Sequence, residues 1–204
     1  MSALQMPIRR GSVSFARFRL GAAPPRDVRR WLTTALRAGA FEPIDLRGDQ
    51  DRAAGFVELE AEGMTAFTPS TMFTGMAAVF AWRVDKLRLP SAQLRGELAR
   101  WSQAFEAANK RPPGRKEKTE QKDTLKRAWR SRAEPVSRTF DVSLDLTSRE
   151  LLVWATSSTV VEEVHAALEE QLGMAVVRAV PSAAIASNRL DALQPTPALF
   201  GGGA

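Results

Sequence analysis

The chain has 204 residues, of which 44% are apolar and 25% charged, an ordinary balance for one sizeable folded domain or two small ones. It contains no cysteine, which excludes disulfides, thiol nucleophiles and sulfur-ligated metals, and no stretch approaches the ~20 apolar residues of a membrane span. The net charge of +6 and a sequence pI near 10.4 favour a polyanionic partner. The opening residues, MSALQMPIRRGSVSF, lack the apolar run of a secretory signal, so a cytoplasmic setting without membrane contact is expected.

Residues 13–20, VSFARFRL, alternate apolar with polar or small side chains and predict a half-buried strand. In PPRDVRRWLTTALRAGAF a helix is expected to start near Asp27, to place Val28, Trp31, Leu32 and Ala35 on one face, and to stop at Gly39. FEPID and AGFVELE read as short strands and GMAAVFAWRVDKLRL as a longer one. Residues 1–88 therefore predict a β-α-β-β-β part of a body.

At LPSAQLRGELARWSQAF the period changes to about 3.6 residues. Leu94, Leu98, Trp101 and Phe105 form an apolar stripe, with Ser91 placed to cap the helix. NKRPPGR ends it, because two prolines and a glycine cannot continue a helix. A second helix is predicted over 117–131, with only Leu125, Ala128 and Trp129 as an apolar seam, Trp129 packing on the first helix and Asp123 pairing with Arg127. Residues 89–134 thus predict a helical insert.

SRTFDVSLDL and LLVWA, joined by TSRE, predict a hairpin. Thr159 and Glu162 have capping-box spacing at the head of a helix whose Val161, Val164, Leu168 and Leu172 face inward and which Gly173 ends; MAVVRAV supplies a last strand. Residues 135–186 complete the body, and 187–204 read as a flexible tail. The fold class expected is α+β: a β-rich body of mainly antiparallel sheet with packing helices and a protruding helical pair.

No catalytic constellation stands out. The single histidine, His165, lies among Val164, Ala166 and Ala167 and reads as a boundary residue, since one histidine cannot build a multidentate metal site. No phosphate-cradling glycine loop follows a strand. The acid pairs Glu162 with Glu163 and Glu169 with Glu170 are adjacent on a helix and so point to different sides; they read as solvated charge rather than a nuclease's cation site. No cofactor is implied, and the chain is not expected to be an enzyme.

The informative feature is RPPGRKEKTEQKDTLKRAWRSR. Residues 109–132 hold ten Lys and Arg against three acids, a net of +7, so the rest of the chain sums to −1. Five of the six lysines fall there. Lys118, Lys122, Lys126 and Arg130 recur every fourth residue and form one stripe roughly 18 Å long, about five base-pair steps. Arg111, Arg115 and Lys116 extend it, and Arg127 adjoins it. Ammonium groups neutralise phosphate as point charges and read bases poorly, so the binding expected is sequence-independent and salt-sensitive. In the tail, QPTPALF sets Leu199 and Phe200 as a handle for a protein partner.

LPSAQLRGELARWSQAFEAANKRPPGRKEKTEQKDTLKRA, followed by EPVSRTFDVSLDLTSRELLVWATSSTVVEEVHAALEEQLGMAVVRAV, resembles the central stretch of the RdgC recombination-associated proteins. The likeness lies in an ordered set: a Leu-Pro-Ser before a helix, a basic turn, the Lys-rich EKTEQKDTLK, an Asp-containing strand with its return strand, and a helix closing on Leu-Gly. The resemblance implies an α+β homodimer that encircles double-stranded DNA without sequence preference, modulates recombinase access to it and associates with the nucleoid. The chain reads as a member shortened at the C-terminus. The alternative is a protein-interaction module that keeps the fold and holds a partner protein.

Overall fold

The computed structural model describes residues 14–59 and 64–179. Its elements in chain order are β1 (Ala16–Leu20), α1 (Val28–Ala38), β2 (Arg52–Val57), α2 (Pro69–Met72), β3 (Phe73–Thr74), β4 (Ala77–Lys86), α3 (Ser91–Asn109), α4 (Arg115–Arg130), β5 (Val136–Asp145), β6 (Glu150–Val153), α5 (Ser158–Leu172) and β7 (Val176–Arg178). The fold class is α+β, as expected. The seven strands form one sheet in the order β2-β4-β5-β6-β1-β7, with β3 paired to β4, and every strand pair is antiparallel.

The period of two in the strands decides which face is buried. Phe18 and Leu20, Phe80 and Trp82, Val142 and Leu144, and Leu151 and Val153 share one side of the sheet. Against it pack Leu32 and Leu36 of α1 and Val161, Val164, Leu168 and Leu172 of α5. Phe18 and Phe80 are 1% and 0% exposed, and burying each contributes about 1.5–3 kcal/mol. On the opposite face lie Ala81, Arg83 and Asp85 of β4. There Arg83 grips the buried Asp85 carboxylate with two hydrogen bonds of 2.8 Å.

FEPID does not form a strand of the sheet. Pro43 has no N–H for a ladder, and the chain instead leans on β2 through one parallel bridge, Ala40 to Phe56. Phe41 N–H donates to Phe56 O at 2.9 Å, and Phe56 N–H to Gly39 O at 2.9 Å. This approach is so close that a Cβ on Gly55 would meet Phe41 Cα at 2.5 Å. Glycine is required there by space and not by dihedral angle.

Helix ends follow local chemistry more closely than spacing suggests. Asp27 caps α1 as expected, accepting from Arg30 N–H at 3.2 Å. Pro90, not Ser91, is the N-cap of α3, and Ser157, not Thr159, is the N-cap of α5. The short α2 and β3 were not expected; α2 starts at Thr68 and Pro69, and the buried Glu58 accepts from Thr68 N–H at 3.1 Å and from the Thr71 hydroxyl at 2.5 Å. The tail, with Leu199 and Phe200, lies outside the described residues, as does Val13 at the start of the first predicted strand.

Between β4 and β5 the chain leaves the sheet for α3 and α4, which pack chiefly on each other. No residue of α3 is buried; Leu94, Leu98, Trp101 and Phe105 are half-buried, as are Leu125 and Trp129 of α4. A thin apolar seam therefore holds the pair, with most of both surfaces in water.

Candidate nucleic-acid interface

The turn between the two helices is held by its own side chains and backbone. Lys110 ends α3 in the left-handed region at φ 52°, and Pro112 and Pro113 carry the chain to Gly114, the N-cap of α4. Glu117 reaches back to accept from Gly114 N–H at 2.7 Å, which is half of a capping box, since glycine has no side chain to complete it. Arg111 donates to both Glu117 oxygens, at 3.0 and 2.7 Å, and lies 5.0 Å over the Phe105 ring. The Arg111 guanidinium, with Gly114 N–H, holds the Glu117 carboxyl at about 2. Arg111 is thereby a brace for the turn.

At about 100° per residue, Arg115, Lys118, Lys122 and Lys126 fall within roughly an 80° arc of α4, beside its packed edge. Arg115, Lys118 and Lys122 line a shallow open groove of about 370 Å³ with Thr119 and with Leu98 of α3. Among the described residues, Arg115, Lys118, Lys122 and Lys126 have no ion-pair partner. Lys116 and Arg127 lie roughly 100° further round. Lys116 is 91% exposed, with Glu120 at 4.0 Å. Arg127 does not pair with the Asp123 carboxylate; its Nε donates to the Asp123 carbonyl at 3.4 Å.

Arg130 stands apart. Its side chain is 8% exposed, and it bonds the Asp51 carboxylate, the Gln50 carbonyl at 2.8 Å and the Asp45 carbonyl at 3.4 Å. It fastens the root of α4 to the loop before β2. Trp129 packs toward α3, as expected, and its Nε1–H donates to Glu97 at 3.0 Å. The stripe that faces solvent thus runs from Arg115 to Lys126, roughly 16 Å. Sequence spacing did not single out Leu98 and Thr119 as its neighbours, because only the packing of the two helices brings them alongside.

Three of the four acids of α5 have partners, and two of them, Glu162 and Glu169, also flank His165 at 3.9 and 3.7 Å. Glu162 pairs with Arg178 at 3.2 Å, Glu163 with Arg52, and Glu169 accepts from Val176 N–H at 2.9 Å. His165 stacks on Phe18 at 4.9 Å, its Nε2 2.5 Å from Val176 O, so it joins α5 to β1 and β7. Among the described residues no three His, Asp or Glu side chains are gathered to hold a metal ion, and no helix is long and apolar enough to cross a membrane.

Residues 17–190 match the family described as "Putative exonuclease, RdgC". No curated protein matches the chain. The match covers most of the sequence, including both flanks of the basic segment. The chain belongs to the RdgC family, and its role is DNA-related.

Proposed function

We propose that this member of the RdgC family binds double-stranded DNA without sequence preference and so modulates the access of recombination or replication proteins to it. Arg115, Lys116, Lys118, Lys122, Lys126 and Arg127 contact phosphates, while Arg111 and Arg130 hold the turn and the root of the helix in place. The observation that carries this reading is a row of three lysines, without carboxylate partners among the described residues, on a helix whose apolar face is already used by α3. Unpaired ammonium groups repel one another along such a helix, and a phosphate backbone relieves that repulsion while releasing counterions.

In this reading the protein acts by occupying DNA rather than by cutting it, as a homodimer associated with the nucleoid. Acids of α5 already tied to Arg178, Arg52 and Val176 N–H support binding over hydrolysis. Exposed Phe15, just before β1, and exposed Val177 on the neighbouring β7 support a self-association face. The test uses the triple variant Lys118→Ala, Lys122→Ala, Lys126→Ala against random duplexes at low salt. Its affinity is expected to fall about tenfold or more, equally for all sequences. Wild-type affinity in the variant would remove the site assignment, and Mg²⁺-dependent nucleotide release by the wild type would overturn the non-enzymatic part.

A further inference from the structure

At the root of the helical pair, where β4 passes the chain to α3 and α4 returns it to β5, a cleft of about 230 Å³ opens between the sheet and the first turns of α5. Four cations line it: Arg52 on β2, Lys86 ending β4, Arg88 just beyond, and Arg138 on β5. Strand register explains their meeting. Arg52 lies directly across from Lys86, and Arg138 across from Val84, the next residue of β4 on the same face.

Like charges directly opposed on paired strands are destabilising, so this corner of the sheet carries an electrostatic cost in the free protein. Glu163 pairs with Arg52. Among the described residues Lys86, Arg88 and Arg138 have no ion-pair partner, which leaves three positive charges around a concave site. Such a site concentrates an anion. Beside Ser157, Thr159 and Glu163 the lining is completed by an apolar strip of Val84, Val136, Phe140 and Val160, with Phe140 half-buried among the cations and Val136 48% exposed. A phosphate alone does not need that surface, whereas a nucleobase does.

We propose that the cleft takes one unpaired nucleotide of a nucleic-acid strand, with its phosphate on Lys86, Arg88 and Arg138 and its base against Phe140 and Val136. A base within a duplex is stacked on both faces and cannot present one to Phe140, and the cleft is far too small to admit a duplex. The cleft shares no residue with the α4 stripe, so the protein has two nucleic-acid sites of different kind: an open cationic track and a concave cleft that senses an unpaired nucleotide.

The test measures binding of the full chain to a labelled thymidylate tetranucleotide and to a blunt duplex. The proteins compared are wild type, Lys86→Ala with Arg138→Ala, Arg88→Glu, and the triple lysine variant of α4. The two cleft variants are expected to weaken tetranucleotide binding about tenfold and to leave duplex binding within about twofold; the α4 variant shows the reverse. Tetranucleotide affinity unchanged in both cleft variants overturns the proposal. Displacement by inorganic phosphate as effectively as by thymidine monophosphate overturns the base contact, and thymidine monophosphate binding as tightly as the tetranucleotide overturns a strand as the source. Cleft-dependent tetranucleotide binding with no duplex binding at all sustains this proposal while the duplex reading fails.

Discussion

Arg130 and Lys126 stand four residues apart in one basic stripe of the sequence, yet the fold gives them opposite tasks. Arg130 is buried on the Asp51 carboxylate and two carbonyls, while Lys126 is exposed with no carboxylate partner among the described residues. A guanidinium that answers several acceptors at once cannot be replaced by a point charge. Arg130→Ala is expected to destabilise the protein by about 1–3 kcal/mol, and Lys126→Ala by no more than about 0.5 kcal/mol, as read by urea denaturation. Equal effects would contradict the division between anchor and contact. Periodicity alone could not make this distinction, because what separates the two residues is Asp51, far away in the chain.

Glu117 gives a second prediction at this scale. Its carboxyl is held at about 2 by the Arg111 guanidinium and by Gly114 N–H. A folded-state value below the unfolded one means that the brace contributes fully above the unfolded carboxyl's range, and that the contribution is lost as pH falls toward 2. The Glu117 side-chain carbon resonance should therefore titrate well below the ordinary glutamate range. A midpoint at the ordinary glutamate value would show that the turn is not braced in solution.

Elements were legible where one physical signal dominated. Leu94, Leu98, Trp101 and Phe105 marked α3 because a period of 3.6 sustained over twelve residues has no competing reading. The hairpin of β5 and β6 was equally plain; its turn is fixed by Asp145, which accepts from Thr147 N–H at 2.7 Å and Ser148 N–H at 3.1 Å. Misreadings arose where the deciding partner lies elsewhere in the fold. FEPID has strand-like side chains but meets β2 through a single bridge, and α2 depends on a buried glutamate ten residues upstream. Gly55 joins these features: Gly55→Ala forces the 40–41 segment off β2, because the added Cβ would sit 2.5 Å from Phe41 Cα. Loss of that packing is expected to lower stability by more than about 1 kcal/mol, measurable as a lower thermal midpoint. An unchanged midpoint would mean that the segment is free to move away.

At the scale of the whole molecule, charge and fold are arranged separately. The net charge outside residues 109–132 is −1, so the positive field belongs to the helical pair and not to the sheet as a whole. The sequence could be read for this concentration, and it could be read for the α+β class. It could not show that β4 and β5 pair along ten residues across the whole insert, nor that β1 lies between β6 and β7. Those long-range pairings turn the insert into a projecting unit and collect Arg52, Lys86, Arg88 and Arg138 into one cleft. The cationic track was visible because its members are neighbours on one helix; the cleft was not, because its members come from three strands and a loop.

Phosphate contact by the α4 stripe is tested most directly by the salt dependence of random-duplex binding, with mass followed by light scattering on free and bound protein. Six contacts predict a slope of log K against log salt of about −5, shared by all sequences, which the triple lysine variant reduces in magnitude to about −3. A dimer bound with that slope agrees with the account. A wild-type slope near zero, or one that the variant leaves unchanged, contradicts it.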